Sequence, residues 1–190
     1  GVRCQGFTGA DVEAEVSLGN LLHSQNQLSL QQQADLAVKN NELGNIHLQE
    51  GDCRLAIEYY RQAIALTPEW AEAHYHLGLA LEKQSKNNYP EAIACYQKAI
   101  ELQPNYLKAE VCLGNLLYTQ GKLSPQQQVD YAAKNNNLAH QYQQAGNLEL
   151  AIKYYHQALA LNPELLDARY QLRLALQEQS EHQIKISVAK

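Results

Sequence analysis

Small and apolar side chains recur along this chain at the spacing of an α-helix. Ala56, Tyr60 and Ala63 stand four and three residues apart, which puts them on one helix face, and Pro68 closes the segment. Ahead of them, Leu43-Gly44 belongs to another periodic stretch, cut off by Gly51. The set predicts two consecutive helices, packed where small residues let backbones approach and larger ones fill the space. The arrangement returns as Leu77-Gly78, Ala92, Tyr96, Ala99 and Pro104, with about two extra residues around Asn87 and Asn88. It returns again as Leu138-Ala139, Gly146, Ala151, Tyr155, Ala158 and Pro163. First helices alone are predicted at residues 12–24 and 107–120, around Leu18-Gly19 and Leu113-Gly114, and a last helix over about 164–179, with Leu172-Arg173, closes the series.

A longer period encloses the short one. Shifting the chain by 95 residues lays Leu18-Gly19-Asn20-Leu21-Leu22 on Leu113-Gly114-Asn115-Leu116-Leu117, and Gln31-Gln32-Gln33 on Gln126-Gln127-Gln128. Lys39-Asn40-Asn41 falls on Lys134-Asn135-Asn136, and Tyr59-Tyr60 on Tyr154-Tyr155. More than half the positions of 14–85 are identical to those of 109–180, which implies an internal duplication. In each half the next repeat starts only 25 residues after the start of the isolated first helix, at 37 after 12 and at 132 after 107, which leaves too few for a complete second helix and its loop. Ser124-Pro125 is a strong helix start, a side-chain cap followed by a residue that has no N–H to leave unsatisfied. From Pro125 to Gln144, and from Leu30 to Gln49, only Gly44 of the repeat interrupts good helix formers. One long helix of about twenty residues is therefore expected in each half, fusing a truncated second helix to the following first helix.

The offsets of Leu-Gly, Ala, aromatic, Ala and Pro resemble the 34-residue tetratricopeptide motif. The resemblance covers roughly residues 10–180, in three complete copies. It departs from the motif at the aromatic fourth position of the first helix, which here is Asn40, His74, Glu110 or Asn135. Membership of this family implies an all-α fold, a right-handed solenoid of antiparallel helix pairs with a concave and a convex side. The expected organisation is an irregular segment at 1–10, a single array over 11–180 and a tail at 181–190. Asp167, Arg173, Gln177 and Glu178 stand where earlier helices are apolar or small, so the last helix reads as a cap.

In this family, motif positions 2, 5, 9 and 12 of the first helix line the concave groove. Position 5 is Val16, Asn41, Tyr75, Val111, Asn136 and Tyr170, and position 9 is Asn20, Asn45, Leu79, Asn115, His140 and Leu174. An Asn side chain both donates and accepts, so recurrent amides can hold a peptide backbone without reading its sequence. Similar asparagine ladders hold an extended peptide in the tetratricopeptide region of O-linked N-acetylglucosamine transferases. The candidate peptide-binding residues are thus Asn20, Asn41, Asn45, Tyr75, Leu79, Asn115, Asn136, His140 and Tyr170, weighed against ordinary solvated amides in a chain rich in Asn and Gln. Chaperone adaptors of the family clamp two carboxylates and need Lys at position 5. None stands there, and Lys83 and Lys108 are the only basic residues near the stripe, which disfavours an acidic C-terminal tail as ligand.

The composition narrows the partners. The formal charge of -5 arises from 15 basic and 20 acidic residues in short alternations, with no basic block to neutralise a row of phosphates, so nucleic acid is not expected. No apolar run approaches the eighteen or so residues of a membrane span, and no signal peptide opens the chain, so a cytoplasmic protein without membrane insertion is expected. A start at Gly1 and the absence of Met raise the expectation of a fragment of a longer protein. Cys4, Cys53, Cys95 and Cys112 form no CxxC pair and read as small apolar side chains, while the seven histidines show no metal-ligand spacing. No catalytic motif, metal site or cofactor is expected. The paired tyrosines Tyr59-Tyr60 and Tyr154-Tyr155 read as core. The sequence points to a scaffold or adaptor for a protein or peptide partner. Alternatives are the substrate-recognition region of a larger enzyme such as a protein glycosyltransferase, or a homo-oligomer formed through terminal helices.

Overall fold

The structure, a computed structural model, describes residues 9–25 and 27–188, with side-chain surroundings for 12–25 and 27–182. Of the irregular segment expected at 1–10, residues 1–8 lie outside the described residues, as does Cys4. The described residues form nine α-helices and one 3₁₀ turn and no strand, divided between two units. The first, ending at Pro104, holds α1 (Gly9–Ser24), α2 (Leu30–Glu50), α3 (Cys53–Leu66), α4 (Ala71–Gln84), a 3₁₀ turn at Lys86–Asn88 and α5 (Tyr89–Leu102). The second, from Asn105, holds α6 (Leu107–Thr119), α7 (Pro125–Gln144), α8 (Leu148–Leu161) and α9 (Leu166–Val188). Within each unit every helix packs on the next, and α2/α3, α4/α5 and α7/α8 are the three helix pairs read from the sequence. Each unit is an all-α stack of antiparallel helix pairs, the building block of an α-solenoid.

The long helices α2 and α7 form as the sequence requires. Ser29 and Ser124 each cap the backbone N–H three residues on, and Gln32 and Gln127 reach back to the cap residue's own N–H, completing a capping box at both sites. At the other end of α2, Gly51 takes a left-handed φ of 91° and Asp52 bonds its N–H to the His47 carbonyl, which ends the helix. The Asp52 carboxylate then caps Leu55, so α3 starts at once. Gly146 and Asn147 do the same between α7 and α8. The extra residues near Asn87 become the 3₁₀ turn. The last helix runs on to Val188, through the stretch expected as a tail, because nothing after Pro163 is Gly or Pro.

Packing follows the motif. A Cβ added to Gly44 would lie 2.5 Å from the Tyr60 ring, and one on Gly78 2.6 Å from Tyr96, so each glycine lets a fully buried tyrosine of the next helix seat against backbone. Around these contacts Val16, Leu36, Ala37, Leu43 and Leu66 form one cluster of the first unit, and Val111, Leu138, Tyr154, Tyr155 and Leu172 belong to the main cluster of the second. Tyr60, Tyr154 and Tyr155 are core residues, while Tyr59 is half-buried and packs against the first unit's cluster. Cys95 is buried, Cys53 and Cys112 are half-buried, and all three are free thiols.

Candidate functional site

The position-9 amides of the two isolated first helices are engaged inside the protein. Asn40 is fully buried, and its Nδ2 donates to Asn20 Oδ1 at 3.0 Å and to the Leu36 carbonyl at 2.9 Å. Asn20 returns the bond to Asn40 Oδ1 at 3.1 Å and also donates to Gln62 of α3. The second unit repeats this with Asn115, Asn135 and Gln157. Asn20 and Asn115 therefore tie three helices together, which departs from the expectation of amides free to hold a peptide. The departure was written at the fourth motif position. Asn40 and Asn135 stand there in place of an aromatic, and a buried amide needs a polar partner on the helix it faces.

The position-5 side chains of the later repeats are also packed. Asn41 is buried and its Oδ1 lies 2.9 Å from His76 Nδ1, while the His76 Nε2 faces Glu72 at 3.9 Å. Tyr75 is buried, its ring centroid 5.3 Å from His76 and 6.2 Å from Tyr96. Asn136 is buried and donates to Asp167 Oδ2 at 2.8 Å, with its own Oδ1 buried and without a hydrogen-bond partner among the described residues. Tyr170, by contrast, is 52% exposed. Its counterpart Tyr75 is covered by α5, and α9 has no later helix after it among the described residues.

Besides Tyr170, the candidate residues that keep open surface lie at position 9. Asn45 is half-buried, accepts from the Tyr60 hydroxyl at 2.8 Å through Oδ1, and has no hydrogen-bond partner for Nδ2 among the described residues. Leu79, 34 positions on, is half-buried at the equivalent place on α4. The nearby Lys83 ammonium is spent on the Leu48 carbonyl at 3.1 Å. In the second unit His140 replaces Asn45, its Nδ1 3.2 Å from the Tyr155 hydroxyl and its Nε2 3.0 Å from Asp167 Oδ2. Tyr155 donates to Gln143 Oε1 at 2.7 Å.

Two groups of the cluster titrate away from their ordinary values. The His140 hydrogen bond, and after it that from Asn136, holds the Asp167 carboxyl below its ordinary range against the opposing effect of burial. Burial, with the Asp167 and Glu178 charges behind it, pushes the Tyr155 phenol up to about 12. Asp167, expected as part of a solvated cap, is instead the hinge of the α7–α9 hydrogen bonds, a role that only the placement of α9 against α7 reveals. Among the described residues no group of three or more His, Cys, Asp or Glu side chains is placed to hold a metal ion, and no helix is long and apolar enough to cross a membrane.

Two tetratricopeptide repeat models match the chain, over residues 41–106 and 135–165, together just over half of it. No curated protein sequence matches. Among solved structures, the Arabidopsis OM64 TPR domain is 15% identical, with 75% of this chain and 96% of that one covered and a TM-score of 0.46. The first TPR of Spaghetti (RPAP3) bound to the HSP90 peptide SRMEEVD is 20% identical, with coverage of 77% and 95% and a TM-score of 0.45. The second TPR domain of human RPAP3 in complex with an HSP70 peptide is 23% identical, with coverage of 77% and 98% and a TM-score of 0.44.

Proposed function

The chain belongs to the tetratricopeptide repeat family, and from that membership we propose that it is a protein-interaction scaffold holding a segment of a partner polypeptide on the first-helix faces of its repeats. The observation that carries the reading is the pair Asn45 and Leu79. They occupy equivalent places on α2 and α4, stay partly open where most neighbouring groove positions are packed, and offer an unengaged amide donor on one helix and an aliphatic side chain on the other. A segment lying across them presents a backbone carbonyl to Asn45 Nδ2 and an apolar side chain to Leu79, the mode in which main-chain bonds supply affinity and a pocket supplies choice. The buried Asn41 and Tyr75 support this face from beneath, and His140 with Asp167 gives the second unit a more polar counterpart. An acidic peptide terminus suits the face poorly, since position 5 carries no Lys and Lys83 is already bonded.

The test uses wild-type chain and an Asn45→Ala/Leu79→Ala variant as baits in the same lysate, followed by anisotropy titrations with peptides tiled from whatever the wild type retains. Binding of one peptide at least roughly tenfold weaker to the variant, with unchanged helicity, is the expected result. Equal affinity for both baits would remove the face from consideration.

A further inference from the structure

A cleft of about 300 Å³ opens between α1 and α2, lined by Leu18, Leu22, Leu28 and Leu36 and rimmed by Glu15 and Asp35. Of its nine lining residues, eight recur unchanged 95 positions later on α6, α7 and the turn between them. The ninth differs, because Leu36 corresponds to Tyr131. In the second unit the Tyr131 ring lies against Gly114, so closely that a Cβ there would collide with it, and it packs with Leu117 and Leu123. Leu36 reaches toward Gly19 from the same place with a shorter side chain. The first unit keeps the frame and lacks the ring, and its Leu18 is 58% exposed. A cleft of this origin fits an aromatic side chain of tyrosine size.

The chain carries such a ring at its other end. Tyr170 shares one face of α9 with Leu166, Arg169 and Arg173, at the spacing that brings side chains together on a helix, and Leu166 is 70% exposed. The Arg173 guanidinium lies over the Tyr170 ring, 5.7 Å from its centroid, and Arg169 bonds only the Pro163 carbonyl among the described residues. Two arginines thus flank an exposed aromatic on a chain of net charge -5. The cleft is apolar inside, and its edge carries two carboxylates and one ammonium, Lys39, which leaves it a net negative rim. One carboxylate, Glu15, is shared with Lys39, and the other, Asp35, meets only the neutral Gln31 amide.

We propose that the α9 face of one copy docks into the α1/α2 cleft of a second copy, with the Tyr170 ring entering among the leucines and Arg169 and Arg173 facing Asp35 and Glu15. Aromatic and arginine side chains entering an apolar pocket are the usual anchors of a protein interface. Two different surfaces meet, so the contact is head-to-tail and allows chains to add in series or close a ring. One cleft and one helix face are a small contact, of the class below about 1,200 Å² that gives weak, concentration-dependent association.

Sedimentation velocity from about 5 μM to about 500 μM tests this, a range that covers weak complexes. The wild type is expected to gain mass with concentration. A Leu36→Tyr variant, which fills the cleft as the second unit does, and a Tyr170→Ala/Arg173→Glu variant are each expected to stay monomeric. Mixed in equal amounts they are expected to form a dimer and stop there, since only one intact cleft and one intact face remain in the mixture. Should Leu36→Tyr lose helicity, Leu18→Arg on the exposed rim repels the arginines without entering the core and serves in its place. A wild type that stays monomeric throughout, cleft-filled chains that associate like the wild type, or a mixture that does not recover a dimer would each overturn the proposal. A monomer whose cleft instead takes a foreign aromatic peptide also overturns it. The Asn45→Ala/Leu79→Ala chain keeps both end surfaces and is expected to self-associate normally, so this test and the partner-capture test fail independently.

Discussion

Asn115 and Asn135 donate to each other across the α6/α7 interface, at 3.1 and 3.0 Å, and Asn20 and Asn40 do the same across α1/α2. Such a reciprocal pair fixes the rotation and axial register of one helix against another more sharply than leucines can, since a small slip breaks both bonds and leaves a buried amide unsatisfied. Both pairs stand where the 25-residue spacing has removed most of a second helix. The amides and the long helices are thus one adaptation. In the first unit, where Leu36 rather than an aromatic ring meets Gly19, the amide pair carries the register, and in the second it acts beside the Tyr131–Gly114 contact.

The pair predicts a measurable coupling. Asn135→Ala exposes the Asn115 amide to loss of partner and leaves a small void, and is expected to cost about 1–3 kcal/mol in urea unfolding. In a double-mutant cycle with Asn115→Ala the two changes are expected to be non-additive by roughly 0.5 kcal/mol or more. Additive effects would mean that the amides only fill space.

Glycine at the helix crossings gives a second prediction, in which two effects oppose one another. Gly44→Ala gains up to about 1 kcal/mol of helix propensity. The new methyl meets the Tyr60 ring at 2.5 Å, and Tyr60 is fully buried with its hydroxyl held by Asn45, so the ring cannot retreat without breaking that bond. Overpacking of this kind costs about 1–3 kcal/mol, so the clash wins and net destabilisation is expected. Gly51→Ala is destabilising for a different reason, its φ of 91°, although no atom lies near the added carbon. Thermal melts of the two variants separate the causes: adding Tyr60→Leu is expected to relieve the first and not the second.

The helix framework was legible because its signals are local. Ser124-Pro125 named the start of α7, its homologous position named that of α2, and the repeat prolines and glycines named the ends. The groove was less legible because position 5 and position 9 face outward only where nothing is stacked upon them. Asn41, Tyr75 and Asn136 stand in that register, yet each is met by a side chain from a later helix, His76 of α4, Tyr96 of α5 or Asp167 of α9, whose reach no wheel diagram contains. Tyr170 occupies the same register and is open, with no later helix over it among the described residues.

The caps of the long helices carry a third prediction. Ser124→Ala removes the acceptor for the Gln127 N–H and half of a capping box, and is expected to cost about 1 kcal/mol. Ser29→Ala is expected to cost a similar amount in the first unit, because its bonds to Gln32 match those of Ser124 to Gln127. Hydrogen exchange is the discriminating measurement: loss of protection confined to the first turn of α7 or α2 is expected, whereas protection lost throughout the helix would mean that the cap nucleates more than its own turn.

The last prediction concerns pH. Asp167 has its carboxyl held below its ordinary value of 3.8, chiefly by the hydrogen bond from His140 and then by that from Asn136. A group whose pKa is lower in the folded than in the unfolded chain contributes stability above the unfolded value and loses it as pH falls through the folded one. The docking of α9 on α7 is therefore expected to weaken below about pH 4, and hardly to change between pH 5 and 8 on account of this carboxylate. Its side chain is half exposed, so solvent screens the interaction and the effect on global stability is modest. Asp167→Asn keeps an acceptor for His140 and Asn136 but removes the charge. Melting temperatures of wild type and variant measured from pH 3 to 7 are expected to differ most at neutral pH and to converge toward pH 3. A constant gap across that range would assign the stabilisation to shape and hydrogen bonding alone, with no part for the carboxylate charge.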